Sequence, residues 1–320
     1  MNIGILGCAN FAIRRVIPTL RALPEYQVVA VASRSDEKAR SVGQQFDCEG
    51  IPDYEMLLHR EDIDAIYIPL PTGMHHEWVK KALQCDKHVL VEKSAGCTLE
   101  EVADMVDLAK ERQLCLQENF QFQFHSQHAF VKKLVENGDI GEIRCFRSSF
   151  GFPPFGDATN IRYQKALGGG ALLDAGAYVL KATQFMLGAG FGVKAATLTY
   201  DATKGVDTYG GAFLANAAGL CSEVAFGFDH FYQCNYEIWG SRGKVTSERA
   251  FTANAEIVPT VKLETEKGTQ SYELPCDDQT AKLFGEFAAT IRERRFSRYA
   301  EEMLLQAELI QQVLEKSREN

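Results

Sequence analysis

The first twelve residues limit the fold more than any other stretch. Asn2–Leu6 is a short apolar run, and Gly7-Cys8-Ala9-Asn10-Phe11-Ala12 carries it directly into a helical pattern. Small residues fall at Gly7, Ala9 and Ala12, a reduced form of G-x-G-x-x-G. The first permits a tight turn, the second lets backbone approach a pyrophosphate, and the third lets helix pack on strand. The amides that open such a helix face an anion. A second apolar run, Gln27–Ser33, ends about 20–25 residues later, where a dinucleotide-binding unit holds its ribose. Further runs near Ile51 and at Ala65–Pro69, His88–Glu92 and Leu114–Glu118 alternate with helical patterns, of which Leu99–Arg112 is the clearest. This alternation predicts a doubly wound parallel sheet over residues 1–120.

After Asn119 the pattern changes. Ser126–Asn137 reads as a helix ended by Gly138, and Glu142–Phe152 as a strand. A loop rich in Pro, Gly and Asp follows, and then a helix carrying Asp174 and Tyr178. From Val193 to Leu274, strand-like runs are separated by turns at Lys204-Gly205, Ala218-Gly219, Ser241-Arg242-Gly243 and Lys267-Gly268. They predict an open, largely antiparallel sheet. Helices over Gln279–Arg294 and Arg298–Lys316 close the chain. The fold class is therefore α/β: an N-terminal Rossmann domain, residues 1–120, and a C-terminal α+β domain, residues 121–320. The second domain has more strand than its helices can cover on both faces. It predicts a homo-oligomer, dimer or tetramer, built face to face through that sheet.

With 320 residues, 46% of them hydrophobic, the chain can build two cores. A net charge of −9 without any lysine or arginine run argues against nucleic acid or an anionic membrane as partner. An anionic small molecule in a local pocket remains open. The nine cysteines are odd in number and scattered, with no C-x-x-C. With no signal peptide and no membrane-length apolar run, they fit reduced thiols in a cytoplasmic protein. His125 and His128 have H-x-x-H spacing but no matching cysteine or acid, so no metal is expected.

The second strand's end decides the dinucleotide. Ser33 and Arg34 stand where an NAD site carries an acid, and a hydroxyl beside a guanidinium suits a ribose 2′-phosphate. NADP(H) is expected, with Lys38 counted among its contacts; Asp36 and Glu37 leave NAD(H) open. Leu70, Pro71 and His75 follow the next strand at the edge of the ligand crevice, with His76 beside them. Lys93 ends the apolar run HVLVEKS.

Gly168–Tyr178, GGGALLDAGAY, sets Asp174 and Tyr178 four residues apart, on one helix face. A carboxylate beside a phenol is a plausible proton-transfer pair, and a tyrosine with a pKa near ~10 is a competent acid at neutral pH. The plain alternative is a helix cap and a half-buried core tyrosine. The glycines let the chain approach a bound ligand closely. Arg162, Tyr163 and Gln164 precede them; a loop arginine beside a cleft pairs with phosphate. Lys181 faces either a substrate phosphate or solvent.

These motifs together resemble the Gfo/Idh/MocA oxidoreductases. The likeness runs from the glycine-rich start through Leu70-Pro71, Glu92-Lys93 and Glu118-Asn119 to Asp174-Ala-Gly176-Ala-Tyr178. The family's E-K-P appears as Glu92-Lys93-Ser94, which leaves the shape of the following turn in question. Tyr178 stands where histidine is common. The segments GCANFAIRRVIPTL, ENFQFQFHSQH, NIRYQKALGGGALLDAGAY and FGFDHFYQCNYEIWGSRGKV are similar to the branch that reduces the C-3 ketone of nucleotide-linked deoxysugars with NADPH. The resemblance implies that Lys93 and Tyr178 are catalytic, with Asp174 orienting lysine or substrate. It implies that Gly7, Cys8, Ala9, Asn10, Phe11, Ala12, Ser33 and Arg34 meet the cofactor. Glu92 and Asn119 are counted with them, Arg162 and Gln164 are candidates for the cofactor or the sugar, and Phe120 and Lys181 for the substrate. A dehydrogenase of a free sugar, polyol or trans-dihydrodiol is the alternative, and a non-catalytic NADP(H)-binding sensor a further one.

Overall fold

The chain's computed structural model describes residues 1–157 and 159–319. After β1 (Asn2–Leu6) come a π-helical turn, Ala12–Val16, and α1 (Ile17–Ala22). There follow β2 (Gln27–Ala32), α2 (Asp36–Phe46), β3 (Glu49–Ile51), α3 (Tyr54–Leu58), β4 (Ala65–Ile68), α4 (His75–Gln84), β5 (His88–Glu92), α5 (Leu99–Arg112) and β6 (Leu116–Asn119). Side-chain oxygens of Ser35, Asp53 and Thr98 accept from the Lys38, Met56 and Glu101 amides and so start α2, α3 and α5. The six strands form one parallel sheet in the order β3-β2-β1-β4-β5-β6. The order reverses between β1 and β4. Ligands of such sheets bind there, outside the strand carboxyl ends.

The second sheet lies within α6 (Ser126–Glu136), β7 (Ile143–Gly151), α7 (Ala177–Leu187), β8 (Gly192–Tyr200), β9 (Asp207–Ala215), β10 (Cys221–Gly227), β11 (Gln233–Gly240), β12 (Gly243–Ser247), β13 (Thr260–Thr265) and β14 (Gly268–Glu273). Its order is β14-β13-β12-β11-β7-β10-β9-β8. Only β7 and β10 pair in parallel, so the sheet is mixed but mostly antiparallel, as the turn spacing predicts. Phe146, Phe150, Leu214, Val224, Phe226, Tyr236 and Ile238 point to one face and are buried with α7. The opposite face keeps Tyr209, Phe213 and Trp239 exposed.

Helices α8 (Gln279–Glu293) and α9 (Ser297–Lys316) end the fold. Compact packing divides the chain into Met1–Asn119 with Thr280–Leu304, and Phe120–Gln279 with Leu305–Asn320. The continuous second domain 121–320 expected from chain order is thus revised: most of α8 belongs to the first unit. The cause is Phe284, whose ring packs edge-on against Tyr26 and Tyr67 and whose carbonyl accepts from the Tyr26 hydroxyl at 2.7 Å. An amphipathic helix buries its apolar stripe wherever a matching surface lies, regardless of chain order.

Candidate active site

In the first unit, the loop after β1 is shaped for close backbone approach. Gly7 has φ +126°, and a Cβ there would lie 2.8 Å from Leu70 Cδ2. Its amide donates to the Ala32 carbonyl, which ties the loop to the end of β2. Ala12 is fully buried, as the helix-packing position requires. The π-helical turn that begins there has no side-chain cap from Phe11. The Ile13 amide within it donates to the Ala9 carbonyl at 3.0 Å, so an anion would be met by the amides that precede Ile13. The Cys8 thiol is buried and donates to the Ala32 carbonyl at 3.6 Å, so a cofactor contact at this position would fall to the backbone. Asn10 is exposed and Ala9 partly so.

Ser33 and Arg34 lie just past β2, which ends at Ala32. Ser33 is buried, with its hydroxyl accepting from the Ser35 amide at 3.2 Å. Arg34 is exposed beside the Tyr54 hydroxyl. Asp36, the acid that could have served an NAD ribose, is ion-paired to Arg40 at 2.7 Å. A hydroxyl and a guanidinium at the strand end, with the nearby acid already paired, fit a 2′-phosphorylated dinucleotide. Lys38 is exposed on α2.

The β4 and β5 ends are tied together by a residue expected to touch the cofactor. His75 is fully buried; its Nε2 lies 2.7 Å from the Leu70 carbonyl and its Nδ1 2.8 Å from the Ser94 carbonyl. The ring is used up within the protein, so His75 holds the Leu70-Pro71 loop to the segment after Lys93 instead of meeting a ligand. Burial pushes its pKa down to about 4, opposed by the two carbonyls; the ring, neutral at pH 7, carries one N–H and donates to one carbonyl only. The Lys93–Ser94 peptide, where the family has proline, is cis. His76 is bound to Asp104 at 2.6 Å and takes no part in the crevice.

Behind Lys93, Glu92 accepts from the Tyr67 hydroxyl at 2.6 Å and from Asn119 Nδ2 at 2.5 Å. Burial holds the Glu92 carboxyl above the ordinary range, opposed by these donors and by the Lys93 charge. Glu92 and Asn119, expected at the cofactor, therefore bind each other first. Asn119 Oδ1 remains buried and without a protein partner, an acceptor that a carboxamide donor would satisfy. Tyr67 was missed: inside the apolar strand AIYI it reads as plain core.

In the second unit, Tyr178 opens α7. Its half-buried ring is boxed by Phe120 (5.6 Å between centroids), Phe150 (5.2 Å), Phe251 (5.6 Å) and Phe122 (6.0 Å). Phe120, expected at the sugar, is 1% exposed and edge-on to Tyr178; it braces the phenol. Asp174 lies in a π-helical turn, Leu172–Gly176, so the regular four-residue α-turn expected between it and Tyr178 is not what links them. Its carboxylate pairs with Arg162 Nε at 2.5 Å, and that guanidinium stacks 4.7 Å over Phe155. Asp174 and Arg162 thus neutralise each other. Gln164 is exposed and donates to the Thr159 carbonyl at 2.6 Å. Lys181 is buried, 5.7 Å over the Phe120 ring, which overturns the solvent-facing reading.

The three glycines answer to the protein's own chain. Gly168 is left-handed at φ +73° and ends a 3₁₀ turn. A Cβ on Gly169 would meet the Arg162 carbonyl at 2.5 Å, and one on Gly170 the Asp207 carboxylate at 2.2 Å. Among the described residues no group of three or more His, Cys, Asp or Glu is placed to hold a metal. His128, buried, has Nδ1 2.8 Å from the Tyr236 hydroxyl.

Comparison with known proteins agrees with this architecture. A Gfo/Idh/MocA family model, "Oxidoreductase family, NAD-binding Rossmann fold", matches residues 1–120, and the "GFO/IDH/MocA C-terminal domain" matches residues 128–246. The chain belongs to the Gfo/Idh/MocA oxidoreductase family. This Gfo/Idh/MocA protein is 44% identical over 292 residues to a dTDP-3,4-didehydro-2,6-dideoxy-alpha-D-glucose 3-reductase of Saccharopolyspora spinosa, covering 91% of this chain and 88% of the relative. It is 33% identical, over 80% of each chain, to D-xylose 1-dehydrogenase (NADP(+)) 2 of Haloferax volcanii. The 3-ketoreductase KijD10 of Actinomadura kijaniata, solved with NADP and TDP-benzene, superposes with a TM-score of 0.96 at 38% identity, covering 99% of this chain and 97% of that one.

Proposed function

We propose that this protein is an NADPH-dependent reductase of the C-3 ketone in a dTDP-linked keto-deoxysugar. The observation that carries the reading is its end-to-end similarity, at 38–44% identity, to reductases of that substrate class, in a chain that retains Lys93 and Tyr178. NADPH, when bound, supplies the hydride. Gly7–Ala12 would hold its pyrophosphate through backbone amides, and Ser33 with Arg34 its 2′-phosphate. Tyr178 donates the proton to the ketone oxygen, its ring kept in place by the four phenylalanines. Lys93 supplies positive charge to the developing alkoxide. Arg162, oriented by Asp174 and Phe155, is the candidate for the substrate's diphosphate.

No helix among the described residues is long and apolar enough to cross a membrane, and all nine cysteines are free. Free thiols suit the cytoplasm. The exposed sheet face bearing Tyr209, Phe213 and Trp239 is the proposed homo-oligomer contact.

The deciding assay measures NADPH oxidation with dTDP-linked 3-keto-deoxysugars beside free keto-sugars and D-xylose with NADP. The xylose dehydrogenase relative makes the second comparison necessary. Turnover confined to nucleotide-linked substrates is expected; equal or better turnover of free sugars would replace this reading with the dehydrogenase one.

A further inference from the structure

The helix that carries Tyr178 begins without a local cap. Its N-cap position is Ala171, whose side chain cannot accept a hydrogen bond. The first amides of a helix need acceptors, above all when buried. Here they are found 35 residues along the chain: the Leu172 amide donates to Asp207 Oδ2 at 2.6 Å, and the Ala171 amide also bonds to that carboxylate. Asp207 is the first residue of β9 and is buried. The fit is close, because the Gly170 Cα lies against Oδ1 so tightly that a Cβ would stand 2.2 Å from it. Gly170 also has φ +129°, which a side chain rarely adopts. At the other end of the same segment, Gln306 Nε2 donates to the Ala177 carbonyl at 2.9 Å. The segment from Ala171 to Ala177 is therefore held at both ends by side chains distant in sequence, and Tyr178 is the next residue.

We propose that Asp207 is a positioning residue for reduction: by capping the helix at Ala171 and Leu172, it sets where the Tyr178 hydroxyl stands. The inference rests on the reading of Tyr178 as proton donor. The carboxyl accepts from two successive amides, and it comes from the sheet that also carries Phe150 and Phe226 against the same helix. Removing it frees the π-helical turn to relax, and a misplacement of about 1 Å at a reacting group costs up to about 100-fold in rate.

The test is a double-mutant cycle on kcat, with NADPH affinity measured alongside. Asp207→Ala should lower kcat about 10- to 100-fold and leave NADPH binding unchanged. Asp207→Asn, which keeps one acceptor oxygen, should recover most of that loss. In a Tyr178→Phe background, Asp207→Ala should cost almost nothing further, because the group it positions has lost its proton. Equal losses in both backgrounds would overturn the inference and make Asp207 a general stabiliser, as would wild-type kcat in a folded Asp207→Ala. If Asp207→Ala does not fold, Asp207→Asn carries the cycle: a small kcat loss absent from the Tyr178→Phe background supports the inference, and no loss overturns it. If Tyr178→Phe alone is silent, the proton-donor reading fails and the inference falls with it. If Tyr178→Phe costs activity while Asp207 variants do not, the inference alone fails.

Discussion

Tyr178→Phe separates packing from proton transfer more cleanly than any other substitution in this protein. The ring sits among Phe120, Phe122, Phe150 and Phe251 at centroid separations of 5.2–6.0 Å. Aromatic pairs of this kind contribute about 0.5–1.5 kcal/mol each beyond area burial, and phenylalanine keeps all four. The hydroxyl's own hydrogen bonding is worth about 1 kcal/mol. Stability should thus fall by no more than about 1 kcal/mol, a few degrees in the melting temperature. General acid catalysis contributes about 10²–10⁴-fold, so kcat should drop by that factor, or about 3–5 kcal/mol in the barrier. Tyr178→Ala would mix the two effects, because emptying the box costs about 3–5 kcal/mol of stability. The assay is steady-state NADPH oxidation with a dTDP-linked 3-keto-deoxysugar, beside NADPH affinity by fluorescence and a thermal melt. A Tyr178→Phe protein that melts normally, binds NADPH normally and keeps kcat within about threefold would refute the assignment and reduce Tyr178 to a core residue.

Arg34→Ala should weaken NADPH binding by about 1.5–3 kcal/mol and NADH binding far less; equal NADPH and NADH affinities in the unmodified protein would sink the 2′-phosphate reading. Trp239→Glu on the exposed sheet face should shift the protein toward monomer in light scattering, and a monomeric unmodified protein at micromolar concentration would remove that surface as a contact. Burial lowers His75 to about 4 and His128 to about 3. The unfolded chain therefore binds protons that these rings refuse, and stability should fall as pH drops from about 6.5 toward 4, by up to about 1.4 kcal/mol per pH unit for each histidine. Glu92 and Asp207, with carboxyls held up by burial, act in the opposite sense and reduce the net slope. Histidine ring resonances that titrate near pH 6.5 at both positions would contradict this.

Much of the protein is determined locally and was legible in the residues. The alternation of short apolar runs with capped helices specifies a parallel sheet, because strand length, turn residues and helix starts are all written within a few positions of each other. Gly7, Ala9 and Ala12 mark the cofactor loop for the same reason, and Ser33-Arg34 marks the strand end. Lys93 and Tyr178 were visible as residue types in a known pattern. What only the tertiary structure decided is which partner each polar group takes. His75 faces two carbonyls instead of a ligand, Asp174 faces Arg162, Lys181 lies over Phe120, and α8 joins the first unit through Phe284. Asp207 caps a helix that starts 35 residues earlier, and no spacing rule points to it. Hydrogen bonds and ion pairs act over a few ångströms, whereas the chain separation between partners is set by the fold. Periodicity therefore predicts elements well, but the contacts of a buried side chain exist only once the elements have packed.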